Sequence, residues 1–163
     1  MDKPTFTFED FLADVDPACI GFAVDINRSL LGEGYKSKIE LKANGFLVSY
    51  THPRSKRSIL NFIFRKKALM VRVYADHCGN YAAFLHDLPD SMEQAIRRAS
   101  NCKRLLNPQD CNSRCPTGYD FEIRGNRYQK CRYSCFQFPV TPETMAILSD
   151  FINYERKERS DPS

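Results

Sequence analysis

The sequence predicts an α+β domain: an antiparallel four-stranded meander with helices on one face, a Cys-bearing (zinc-ribbon-like) β-hairpin, and a C-terminal helix. Three observations carry this. Residues 37–76 alternate apolar and polar side chains around Asn44-Gly45, the dipeptide most favoured in tight hairpins. The flanking segments repeat apolar residues every three or four positions, the period of a helix lying on a core. Residues 111–135 read CNSRCPTGYDFEIRGNRYQKCRYSC, two Cys-x3-Cys pairs on either side of a turn-forming Arg124-Gly125-Asn126.

Each element follows from local chemistry. Thr7 before Phe8, Glu9 and Asp10 starts a short helix, with a capping hydroxyl and acids in its first turn. Asp16-Pro17 starts a second, whose stripe is Cys19, Phe22, Ile26 and Leu30 and whose end is marked by Gly32 and Gly34. SKIELKA, FLVSYTH, SILNFIF and ALMVRVYAD are four strands; tight connections such as Arg65-Lys66-Lys67 need no crossover and pair neighbours antiparallel. Asn80–Leu88 and Ser91–Ala99 read as short helices divided by Pro89. YDFEI and RYQKCRY form the hairpin, and a turn centred on Gly125 sets Cys115 opposite Cys135 and Tyr119 opposite Cys131. Phe136, Phe138 and Val140 alternate as a continuing strand. Thr141-Pro142-Glu143 then opens a helix striped by Met145, Leu148, Phe151 and Ile152. We expect a single domain over residues 1–158, with 102–138 an integral Cys-rich module and 159–163 a flexible tail.

An apolar fraction of 42% in 163 residues suffices for one core, and no low-complexity tract or repeat interrupts it. The opening MDKPTFTFEDFL has acids where a secretory signal needs a basic patch and a long apolar run, which predicts a cytoplasmic location. No apolar run approaches the roughly 20 residues of a membrane span. Seven cysteines, an odd number, without such a signal predict free thiols rather than a disulfide framework.

The spacing Cys-x3-Cys-x15-Cys-x3-Cys lies close to the two-pair pattern of zinc ribbons. Cys111, Cys115, Cys131 and Cys135 are therefore the expected ligands of a structural Zn²⁺, with Cys102 as a substitute for one of them. Four thiolates suit tetrahedral zinc with sulfur at about 2.3 Å. Arg114, Lys130 and Arg132 would offset the resulting charge. His77-Cys78 is a second possible donor pair, and Cys19 reads as a buried small hydrophobe. Two other readings stay open: four thiols packed beneath Tyr119, Phe121, Tyr133 and Phe136, or reversible disulfides in a redox sensor, although thioredoxin-like sites use Cys-x-x-Cys.

The formal charge of +4 is uneven, since residues 51–105 hold 11 basic and 4 acidic side chains. Arg54, Lys56 and Arg57 lie in one connection and Arg65, Lys66 and Lys67 in the next, at opposite ends of the third strand. They are the candidate nucleic-acid phosphate contacts, with Tyr50, Phe62 or Tyr74 to stack bases and Arg97, Arg98, Lys103 and Arg104 nearby in sequence. The alternative is charged turns that protect sheet edges. No phosphate loop, nucleophile elbow or His-Glu-x-x-His is present, and His52, His77 and His86 sit in no recognised catalytic context, so no catalytic residue is assigned.

The stretches CKRLLNPQDCNSRC, GYDFEIRGNRYQKCRYSCFQF and NFIFRKKALMVRVYAD resemble an uncharacterised family of small Cys-rich bacterial proteins, over nearly the whole chain. The order of leading helix, meander with a KKALMVRVY-type strand, closing strand and helix is also loosely similar in layout to the MmcQ/YjbR-like α/β proteins. That likeness implies a link to DNA, which the Cys insertion departs from. The expected function is a cytoplasmic zinc-stabilised module that binds nucleic acid or works in a nucleic-acid-associated complex. The alternatives are a small-molecule or protein interaction domain with a purely structural zinc, a thiol redox sensor, or a small-metabolite enzyme with an open zinc position.

Overall fold

The computed structural model describes residues 4–160. Its elements run α1 (Phe8–Leu12), α2 (Pro17–Gly32), β1 (Lys36–Lys42), β2 (Gly45–Thr51), β3 (Ser58–Arg65), β4 (Ala68–Val73), a 3₁₀ turn (Cys78–Tyr81), α3 (Ala82–His86), α4 (Asp90–Arg98), α5 (Lys103–Leu106), β5 (Tyr119–Ile123), β6 (Asn126–Lys130), β7 (Gln137–Pro139) and α6 (Met145–Ser160). The anticipated caps are in place. Thr7 and Asp10 form a reciprocal capping box on α1, and Asp16 caps α2 with Pro17 at its first position.

β1 to β4 form the expected meander, but the sheet has five strands in the order β1-β2-β3-β4-β7. β7 joins antiparallel to β4, with Val71 opposite Phe138. The fifth strand arises because Phe136 and Phe138, both fully buried, extend the core face beyond Val71 and Val73. On that face Phe62 meets Phe11 of α1 at 5.5 Å and Phe22 of α2 at 6.5 Å, while Phe151 of α6 meets Phe136 at 5.1 Å. Such ring pairs add about 0.5–1.5 kcal/mol each beyond their buried area.

β3 is buried on both faces from Ile59 to Phe64, which explains its near-continuous apolar run. Its one polar side chain, Asn61, is satisfied on the outer face. Its carbonyl oxygen accepts from the Tyr74 hydroxyl at 2.6 Å and from Arg72 at 3.2 Å, and its amide donates to Ser49 at 3.0 Å.

The β5–β6 hairpin differs from expectation by one register step. Ile123 pairs with Asn126 and Tyr119 with Lys130, so the turn has two residues, Arg124 and Gly125, both at positive φ (48° and 86°). Two left-handed residues are what the right-handed twist of a two-residue hairpin demands. By that register Cys131 falls opposite Gly118, one step beyond the ladder, and not opposite Tyr119. Arg124 then clamps the hairpin to the helices, donating to the carbonyls of His86 (2.6 Å) and Leu88 (3.3 Å) and pairing with Glu93 of α4.

α6 continues through Ser160, two residues into the anticipated tail, because Arg159 is held in buried ion pairs. The remainder of that tail, residues 161–163, lies outside the described residues.

Candidate metal centre

Cys102, Cys111, Cys115 and Cys131 line one cavity of about 310 Å³. Lys103, Arg104, Arg114 and Arg132 line it too, and no carboxylate does. Cys135, an expected ligand, is instead fully buried in the hydrophobic core, and Cys102 takes its place. Burial, and then neighbouring Cys78, push the Cys135 thiol well above the usual range, so it stays protonated at neutral pH. Among the described residues no three His, Cys, Asp or Glu side chains stand as a ready ligand set for a single ion. The four cysteines share a cavity without forming such a set.

Backbone pairing brings Cys102 to Cys131. The Cys131 amide donates to Ser100 at 2.8 Å, the Cys102 amide donates to Gln129 at 2.9 Å, and Asn101 bridges Lys130, so residues 100–102 run along the free edge of β6. Gly118 closes the arrangement, its amide donating to the Cys102 sulfur at 3.2 Å. A Cβ on Gly118 would sit 2.0 Å from the Lys130 carbonyl oxygen and 2.9 Å from the Cys102 Cβ, so only glycine permits this approach. The loop bearing Cys111 and Cys115 has no regular structure. It is held by one nitrogen of Arg104, which donates to the carbonyls of Cys115 (2.6 Å), Ser113 (3.3 Å) and Asn112 (3.4 Å).

Lys130, expected to offset thiolate charge, points away. Its ammonium donates to the Arg97 and Ala99 carbonyls at 2.9 Å each, satisfying the C-terminal end of α4. Arg132 serves two partners. It lines the cavity, pairs with Asp76 at 2.9 Å and lies over the Tyr74 ring at 5.2 Å.

A second polar constellation was not anticipated. A cleft of about 520 Å³ is lined by His52, Ser55, Arg57, Asp76, His77, Asn80, Glu158 and Arg159. Beneath it Glu155, with no exposed surface, accepts from the His77 ring at 2.7 Å, the His77 amide at 3.0 Å, the Tyr81 hydroxyl at 2.6 Å and Arg159 at 2.8 Å. Burial, then the Glu155 charge, push the Tyr81 phenol far above its ordinary value and raise the Cys78 thiol to about 11, which disfavours a thiolate there. His52 accepts the Arg54 and Ser55 amides on Nδ1 at 3.2 Å each. Its pKa is lowered, by burial first and then by Arg159, which keeps it neutral. The sequence did hold a signal for this cluster, because Glu155 and Arg159 continue the 148–151–152 stripe that apolar residues should occupy.

The six candidate phosphate contacts do not share a surface. Arg54, Lys56 and Arg57 lie at one end of β3 and Arg65, Lys66 and Lys67 at the other, about 25 Å apart by the rise of eight strand residues. Arg57 also pairs with Asp76 at 3.7 Å. The proposed stacking rings Tyr50, Phe62 and Tyr74 are buried, because each fills the sheet's own packing, and they cannot receive a base.

Among the described residues no helix is long and apolar enough to cross a membrane. Comparison with protein-family models, curated proteins and solved structures finds no match.

Proposed function

We propose that the chain is a metal–thiolate binding module whose ligands are Cys102, Cys111, Cys115 and Cys131. One observation carries the reading: these four thiols and four cations line a single cavity that no carboxylate enters. Four thiolates around a divalent ion leave a net charge of −2. Lys103, Arg104, Arg114 and Arg132 offset it and favour the deprotonated sulfurs that ligation requires. Zn²⁺ is the metal that the cysteine spacing suggests, and a metal bound here would tie the irregular 107–117 loop to the hairpin. Free thiols and this chemistry suit a reducing, cytoplasmic setting.

Titration of the thiol-reduced protein with Zn²⁺, or with Co²⁺ followed by its thiolate charge-transfer absorption, tests the ligand set. Cys102→Ser, Cys111→Ser, Cys115→Ser and Cys131→Ser should each weaken binding at least tenfold, while Cys135→Ala retains it. Retained binding in Cys102→Ser together with loss in a folded Cys135→Ala would overturn the assignment.

A second reading, contact with a nucleic-acid backbone, is favoured by the β3–β4 turn. Arg65, Lys66 and Lys67 are all exposed there, without an acidic ion-pair partner among the described residues. Neutralising up to three phosphates gives a log–log salt slope of about −2 to −3. Lys66→Glu/Lys67→Glu should abolish retardation of a DNA or RNA oligonucleotide at low salt. Absence of retardation by the unmodified chain rules the reading out.

A further inference from the structure

We infer that the native occupant of the cysteine cavity is a polynuclear iron–sulfur cluster rather than a single ion. This rests on the metal–thiolate reading above and names its cofactor.

Size is the first argument. Four sulfurs about 2.3 Å from one zinc enclose a sphere of only about 50 Å³. The cavity that these four cysteines line, together with Lys103, Arg104, Arg114, Arg132 and other residues, is about 310 Å³. Collapse onto one ion is resisted on three sides. Cys102 is held by the Gly118 N–H that its sulfur accepts and by its own N–H donating to the Gln129 carbonyl, Cys131 by its N–H donating to the Ser100 carbonyl, and the Cys111–Cys115 loop by Arg104. In a cubane cluster each thiolate bonds a different iron, so four sulfurs spread around a volume are the arrangement it needs.

Charge and hydrogen bonding agree. Insertion of a [4Fe–4S]²⁺ core releases four thiol protons to solvent and forms four iron–sulfur bonds, leaving a dianionic centre with no net electron transfer. Lys103, Arg104, Arg114 and Arg132 surround that dianion. The Gly118 amide donates to a ligand sulfur, one of the interactions that set a cluster's potential. Cys111 is exposed, which puts one edge of the centre within reach of oxygen.

The test is anaerobic reconstitution of the full reduced chain with equal amounts of Fe²⁺ and Fe³⁺ and matching sulfide, which balances the [4Fe–4S]²⁺ core without a further oxidant, followed by desalting and assay of iron, acid-labile sulfide and visible absorption. About four iron and four sulfide per chain are expected, and Cys135→Ala should match the unmodified protein. Two of each would still uphold a polynuclear centre. Cys102→Ser/Cys115→Ser should lose at least nine-tenths of the labile sulfide while keeping its far-ultraviolet circular dichroism. Equal labile sulfide in a variant lacking all four cavity cysteines would expose adventitious iron sulfide and overturn the proposal. Stoichiometric zinc binding with no sulfide incorporated removes the cluster alone; failure to bind zinc as well removes the metal reading itself.

Discussion

Glu155 shows how one residue departs from the pattern that surrounds it. It occupies the buried stripe of α6, where the helical period calls for an apolar side chain, yet it is satisfied by His77, Tyr81 and Arg159. Removing one member of a buried charge network leaves the others uncompensated and costs about 3–5 kcal/mol. Glu155→Ala is therefore expected to lower the urea unfolding free energy by about that amount, and Glu155→Gln, which retains acceptor capacity, by less. Similar values for both would show that the lost charge, rather than lost packing or acceptor capacity, dominates. The sequence revealed that Glu155 falls on the stripe. It could not show His77 and Tyr81, which lie just before and at the end of the 3₁₀ turn, 78 and 74 residues earlier in the chain.

The β5–β6 hairpin and α4 form the element whose behaviour depends most on pH. Glu93 accepts from the Tyr128 hydroxyl at 2.7 Å and pairs with Arg124, and these contacts, that of Tyr128 foremost, hold its pKa below the usual carboxylate value. A depressed folded pKa stabilises the fold above the unfolded value of about 4.3, and that stability is lost as pH falls through the folded value. Acidification below about pH 4 should loosen the hairpin from α4, seen as earlier exchange of the β5–β6 amides. Glu93→Gln should flatten that acid limb, and an unchanged acid limb would refute the assignment. The hairpin was legible from Arg124-Gly125-Asn126 flanked by alternating strands. Its register was not, because two- and three-residue turns share the same residues and differ by one step, and that step decides which cysteine meets Cys102. Gly118 follows from the same register: Gly118→Ala drives a methyl into the Lys130 carbonyl and should cost about 1–3 kcal/mol of unfolding free energy.

Across the whole molecule, the helices and meander could be read in the sequence because their signals are local: caps, a period of two or 3.6, and Asn44-Gly45. The place of the fifth strand beside β4, the burial of Cys135 away from the cavity that Cys102 lines, and the polar cleft depend on contacts distant in sequence, which no spacing rule reports. Asp76 is where these distant parts meet. It pairs with Arg132 (2.9 Å), which lines the cysteine cavity, and with Arg159 (3.3 Å) and Arg57 (3.7 Å), which line the polar cleft. One carboxylate thus ties the Cys-rich segment to α6 and to the β2–β3 connection. Asp76→Asn removes the charge with little change of shape and leaves Arg132 and Arg159, both largely buried, without this counter-ion. The expected result is sub-global opening. Amides of residues 100–102 and 131–135 should exchange at least tenfold faster than in the unmodified protein, while those of β2 and β3 keep the rate set by global unfolding. Acceleration spread evenly over both regions would mean that Asp76 supports the core as a whole and does not specifically hold the cysteine segment against the rest of the fold.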